Sequence, residues 1–144
     1  MPDLLARQVI GWSMRSRIDS ELVISASVMA VWRRNPSAPA IVHSDQGTQY
    51  SSHELQSILV EHGLLPSMRR RSDCYDHAVA ESFLQLLKRE RIRRRLYLDR
   101  EEARRDLCDY IEMFYNPKRR HGYANDVSPV QFEPQYFSRL ERVY

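Results

Sequence analysis

Short apolar runs of strand length alternate along this chain with segments of helical period, and that alternation limits the fold more than any other feature. Ala40-Ile41-Val42-His43 suits a buried strand ending at Ser44-Asp45, and Leu64 to Met68 forms a second run. Pro66 has no N–H to give to a ladder, so the second run is expected at a sheet edge. A further strand is expected where Arg7 to Arg15 alternates around Val9, Ile10, Trp12 and Met14. Asp19 or Ser20 can cap a helix that the charge of Glu21 favours. Leu22 to Trp32 is apolar nearly all round, which predicts that this helix is buried. Ser51 and Glu54 have capping-box spacing ahead of Leu55, Ile58 and Leu59, and Gly63 is placed to end that helix. Beyond a polar loop over 69–73, a helix from Asp76 or His77 carries Val79, Phe83, Leu86 and Leu87 on one face. The next starts near Asp99, shows Ala103, Leu107, Tyr110, Ile111 and Phe114 at helical spacing, and stops at Asn116-Pro117. Ser128-Pro129 opens a short helix expected to pack back on the domain. Elements in this order indicate an α/β or α+β domain.

At 144 residues the chain fits one domain with a moderate core, and 42% hydrophobic with 28% charged residues suits neither a disordered tail nor a membrane protein. The apolar stretch at Leu22 to Trp32 is too short to span a bilayer, and Met1-Pro2-Asp3 lacks a signal core. Cys74 and Cys108 belong to no metal-ligand pattern. A cytoplasmic protein is expected. Trp12, Trp32 and Phe83 lie in apolar patterns and are expected in the core rather than as base-stacking platforms.

Charge is distributed unevenly. Residues 69–120 hold 15 of the 22 Lys and Arg against 10 of the 19 acids, an excess of five, and the flanking segments each come to minus one. That pattern fits a polyanion-binding surface and fits equally a solvated helix face laced with ion pairs.

Two carboxylates stand out. Asp45 ends a predicted strand, where α/β sheets place functional groups, and Glu81 falls within the first turns of the helix from residue 76. Converging carboxylates hold hard cations through oxygen ligands. With 19 acids in the chain, pattern alone does not single out this pair. His43 and His121 are expected as packed or hydrogen-bonded side chains, not as bases.

Four ordered motifs sharpen the reading. His43-Ser44-Asp45-Gln46-Gly47-Thr48-Gln49-Tyr50-Ser51-Ser52 resembles the first of two acidic segments in the DDE transposases of the third insertion-sequence family. Asp73 to Phe83 followed by Leu87-Lys88-Arg89-Glu90 is similar to the second, and the 35 residues between Asp45 and Glu81 match the family's interval. Tyr115-Asn116-Pro117-Lys118-Arg119-Arg120-His121 and Ser128-Pro129-Val130-Gln131-Phe132-Glu133 resemble its terminal signature, and Asp3-Leu4, Arg7, Gly11 and Trp12 its preceding strand.

The resemblance implies a ribonuclease-H-like integrase core, α/β, with a mixed sheet flanked by helices, over 1–115, and a signature tail over 116–144 packed on it. It implies DNA transposition by metal-dependent phosphoryl transfer, with Asp45 and Glu81 as the second and third acids of the catalytic triad and as metal ligands. Two Mg²⁺ ions, or Mn²⁺ in their place, would serve the complete site. Gln85 and Lys88 follow Glu81 by four and seven residues, so the three share a helix face, and Lys88 is expected on DNA phosphate with Gln85 beside it. Arg91, Arg94, Lys118, Arg119 and Arg120 are expected as non-specific DNA contacts. Expected partners are insertion-sequence ends and target DNA, and an upstream transposase segment or another transposase chain, with a homo-oligomer when complete and no membrane. His77 stands where the family has Asn. The family's first Asp and first strand would lie upstream of Asp3, so the chain is expected to be inactive and marginally folded alone. The competing expectation is a catalytically inactive remnant that at most binds DNA.

Overall fold

The computed structural model describes residues 1–44, 47, 50–68 and 74–142. In chain order these form α1 (Ser20–Arg34), β1 (Ala40–Ser44), α2 (His53–Glu61), β2 (Leu64–Met68), α3 (Cys74–Glu90), α4 (Arg100–Asp109) and α5 (Pro129–Glu141), and a π-helical segment, Tyr110–Tyr115, continues α4. The chain divides into two compact units, one of residues 1 and 10–80 and one of residues 2–9 and 81–144. Among the described residues no helix is long and apolar enough to cross a membrane.

In the first unit β1 and β2 pair in parallel, Ala40 opposite Leu64 through Ser44 opposite Met68, with α2 in the connection. Parallel strands need such a crossover, since a tight turn cannot reverse the chain twice. Ser52 caps α2 by accepting from the Leu55 N–H, one residue later than the capping-box spacing predicts. Gly63, at φ 67°, provides the left-handed step that turns the chain from α2 into β2. Leu55, Leu59 and Leu64 form the buried centre, and Val23, Ile24, Val31, Ala40, Val42 and Tyr50 pack against it. Pro66 stands opposite Val42 in a strand with a single partner among the described residues, in line with its lack of a donor.

Three expectations are corrected over residues 1–68. β1 is only half-buried: Ile41 and its register partner Leu65 are exposed on the face away from the leucine cluster. α1 has the predicted Asp19 cap but not the predicted burial, because Val23, Ile24 and Val31 meet the core while Trp32 remains 80% exposed. Apolar composition all round a helix does not bury it unless another element covers each side. Among the described residues Arg7–Arg15 forms no ladder. Instead Val9 makes an isolated antiparallel bridge with Pro2, and the Ile10 and Gly11 N–H groups both reach the Met1 carbonyl. Gly11 sits so close to α1 that an added Cβ would stand 2.0 Å from the Ala26 carbonyl oxygen, so a glycine is required by contact, not by its dihedrals.

The second unit is organised by aromatic rings. Phe83 and Leu87 of α3, and Tyr110, Ile111 and Tyr115 of the π segment, are buried, with the Phe83 and Tyr115 rings edge-to-face at 4.9 Å. α4 starts where expected, with Asp99 capping it by accepting from the Glu102 N–H, but the helix does not continue in α register to its end. Asn116 N–H bonds to the Ile111 carbonyl five residues back, and Arg119 N–H to that of Phe114. The wider turn brings Tyr110, Ile111, Tyr115 and Asn116 inward together, which the 3.6-residue period would not do. α3 starts at Cys74, two residues before the predicted start. The Ser128–Gln131 capping box opens α5, whose first residue, Pro129, is buried while most of the helix is exposed.

Asn116 is buried and hydrogen-bonds the backbone of Val9 with both ends of its amide: it accepts from the Val9 N–H at 2.9 Å and donates to the Val9 carbonyl at 3.0 Å. Its own carbonyl accepts from the Val130 N–H. Asn116→Ala leaves two buried main-chain groups unpaired and is expected to cost about 3 kcal/mol, read as a lower urea midpoint at unchanged slope. An unchanged midpoint would show that these bonds are replaced by water.

Candidate functional site

From Glu81 onward α3 has two faces. Phe83 and Leu87 point into the aromatic core, and at 3.6 residues per turn Glu81, Gln85 and Lys88 fall on the opposite side, where all three are exposed. The helix thus presents a carboxylate, an amide and an ammonium in one row to solvent, the shared face the spacing predicts. Asp45, the other acid of the expected pair, lies outside the described residues, as does the predicted loop 69–73; β1 is described as far as Ser44. Among the described residues no three His, Cys, Asp or Glu side chains cluster so as to hold a metal ion.

At the end of α3 a different carboxylate is occupied. Glu90 accepts from the Tyr110 hydroxyl at 2.6 Å, and Arg119 Nη1 donates to both of its oxygens at 2.6 and 2.7 Å. Both partners of the ion pair are only 22% exposed. Burial alone would raise the Glu90 pKa; the Tyr110 hydrogen bond and the Arg119 charge outweigh it and hold the carboxyl below its ordinary value. Burial and the same hydrogen bond push the Tyr110 hydroxyl up. Tyr115 donates through its hydroxyl to the Arg7 carbonyl at 3.2 Å, and its ring meets the edge of His121 at 5.2 Å. His121 also bridges to Val127 through its backbone, and burial, with Arg119 and Arg7 adding to it, lowers its pKa. These contacts are those of a packed histidine.

The basic residues therefore divide. Arg119 is committed to Glu90. Arg91 lies 3.5 Å from Asp106 with its guanidinium 5.4 Å over the Tyr110 ring, and Arg95 and the Tyr97 hydroxyl reach the same Asp106 at 2.6 and 2.8 Å. Gln85, Lys88, Arg94, Lys118 and Arg120 are exposed. The ion-paired reading of the basic block thus holds for Arg91, Arg95 and Arg119. Glu90, Asp106 and Asn116 did not stand out by sequence reasoning. The available signal was that Glu90 and Asn116 fall inside the quoted motifs.

Two family models, each described as an integrase core domain, match residues 1–74 and 81–137. The chain belongs to the integrase core family. Within it, the resemblance to transposases of the third insertion-sequence family holds. This integrase core chain is 44% identical over 131 residues to the transposase InsF for insertion sequence IS3 of Escherichia coli O111:H-, covering 91% of the chain and 46% of that protein. With InsF for IS3fB of Escherichia coli K12 the identity is 44% over 133 residues, 92% of the chain and 46% of the relative. The transposase for insertion sequence element IS904 of Lactococcus lactis is 41% identical over 131 residues, 91% of the chain and 52% of its own length. The chain spans about half the length of these curated relatives. Its α/β character agrees with the family; of the expected mixed sheet, the described residues contain one parallel pair.

The buried network predicts an acid-labile fold. Below 6.5 the unfolded chain protonates His121 while the folded chain resists, and below 4.5 the unfolded chain likewise takes up a proton that Glu90 refuses. In both windows the unfolded state binds more protons, so stability falls as pH falls. Melting temperature should begin to decline just below 6.5 and decline further as Glu90 titrates. His121→Gln should flatten the first decline and leave the second. A profile unchanged by that substitution would show that His121 does not carry it.

Proposed function

We propose that this chain is part of a transposase catalytic core that cleaves and joins DNA strands by metal-dependent phosphoryl transfer, acting on the ends of an insertion sequence and on target DNA. The observation that carries the reading is the solvent-facing row of Glu81, Gln85 and Lys88, opposite the buried Phe83 and Leu87, on a chain of the integrase core family. Glu81 is an exposed carboxylate on a well-anchored helix, and hard oxygen donors of that kind suit Mg²⁺ or Mn²⁺. Asp45, one residue beyond β1, is the proposed second ligand. Divalent cations, when bound, activate the attacking oxygen and stabilise the leaving oxygen at phosphorus. The chain's own residues supply the rest. Lys88, seven residues from Glu81 on the same face, neutralises the phosphate backbone where it passes the carboxylate, and Gln85 between them offers a hydrogen bond to the strand. Arg94, Lys118 and Arg120 extend the cationic surface, whereas Arg91 and Arg119 serve mainly the fold. The complete active site, its homo-oligomer and a cytoplasmic setting at the nucleoid belong to the same proposal.

Two measurements test it. Mn²⁺ titration followed by electron paramagnetic resonance should show binding that Asp45→Asn and Glu81→Gln each weaken, with the fold intact by circular dichroism. Equal binding by wild type and both variants would remove these acids from the metal site.

For DNA, affinity should fall steeply with salt and depend little on sequence. Lys88→Ala should reduce the logarithmic salt slope by about one, while Arg119→Ala should leave that slope nearly unchanged and lower stability by about 2 kcal/mol. Affinity independent of salt would contradict the proposal. A slope reduced by Arg119→Ala and not by Lys88→Ala would reverse the two assignments.

A further inference from the structure

Between α3 and α4 the chain makes a basic turn whose side chains are sorted by one carboxylate. Arg95 leaves the short 3₁₀ turn Ile92–Arg94 in extended conformation, φ −132° and ψ 144°. Asp106 of α4, whose side chain is only 12% exposed, takes the Arg95 guanidinium at 2.6 Å and the Tyr97 hydroxyl at 2.8 Å. The Leu98 N–H is held by the Glu102 carboxylate at 2.7 Å. With Arg95 and Tyr97 tied to Asp106, Leu96 and Leu98 are turned outward, and they are 100% and 96% exposed. Both leucines thus stand in water beside side chains that are tied to α4.

We propose that Leu96 and Leu98 form an apolar wedge that enters between base steps of bound DNA, with Arg93 and Arg94 on the flanking phosphates. The inference rests on the DNA-binding reading above and adds to it a way of distorting the duplex. Charge supports nucleic acid as the occupant: from Lys88 to Arg95 the chain carries six basic residues and one acid, Glu90, and that acid is already occupied by Arg119. Arg93 and Arg94, which precede Leu96 in the chain, are exposed. Size supports it as well. A stable protein interface buries on the order of 1,000 Å² or more, beyond the reach of two side chains, whereas one or two apolar side chains suffice to unstack a base step when arginines hold the backbone.

The test uses the 144-residue chain and a duplex carrying 2-aminopurine at a central TA step, with affinity measured in parallel by fluorescence anisotropy. Wild type should bind and raise the 2-aminopurine signal as the base unstacks. The double variant Leu96→Ala/Leu98→Ala, at positions already exposed and therefore harmless to the fold, should keep the salt dependence of binding and lose the rise. Leu96→Met/Leu98→Met should retain it. Arg93→Ala/Arg94→Ala should weaken affinity and lower the salt slope. Binding with a rise that survives the double alanine variant overturns the wedge and leaves the DNA reading intact. A change in sedimentation mass on the alanine substitutions, with the rise unaltered, assigns the leucines to a protein contact instead. Failure of wild type to bind DNA at all overturns the reading on which the wedge depends.

Discussion

The amide of Asn116 does for Val9 what a neighbouring strand would do. Its oxygen takes the N–H and its nitrogen serves the carbonyl, at 2.9 and 3.0 Å, in a buried setting where neither main-chain group can turn to water. Much of the second unit is built around that exchange. The segment 2–9 is held to the end of the π-helical turn, Tyr115 adds its hydroxyl to the Arg7 carbonyl next door, and the Asn116 carbonyl receives the Val130 N–H at the start of α5. A side chain with only a donor or only an acceptor could not replace it.

The π-helical turn is the condition for this arrangement. In α register a helix places every third or fourth residue on one face, so Tyr110, Ile111, Tyr115 and Asn116 could not all face inward. The five-residue hydrogen bonds at Asn116 and Arg119 open the turn, and the gain is a three-ring cluster with Phe83 beside the buried amide. The same turn directs Arg119 at Glu90, so the last turn of α3 is pinned by an ion pair and a tyrosine hydroxyl. The helix that bears Glu81 is therefore braced at its far end, and the row Glu81, Gln85, Lys88 faces solvent from a fixed support.

Motif residues in this chain thus serve two purposes that look alike in one dimension. Tyr115, Asn116, Arg119 and His121 of the terminal signature make contacts within the fold, while Lys118 and Arg120, interleaved with them, are exposed. Charge by itself could not separate Arg119 from Arg120. Only the presence of Glu90 within reach of one of them does so, and that is a matter of which turn the backbone takes after Tyr110.

What the sequence determined by itself was local and periodic. The strands at Ala40 and Leu64, the cap at Asp19, the helix start at Asp99, the turn at Gly63, the buried stripe of Phe83 and Leu87 and the shared face of Glu81 and Lys88 all follow from residue types at fixed spacings, because the governing interactions span a few residues. The family was legible for the same reason, from ordered motifs with Asp45 and Glu81 at a fixed interval. Tertiary structure alone decided which apolar faces are covered, leaving Trp32, Ile41 and Leu65 exposed, and replaced the strand expected at Arg7–Arg15 by an amide clasp. It also decided which arginines spend their charge inside the protein. Each of those outcomes depends on a partner supplied from far along the chain, as Val9 depends on Asn116 across 107 residues, and no local pattern encodes where that partner will stand.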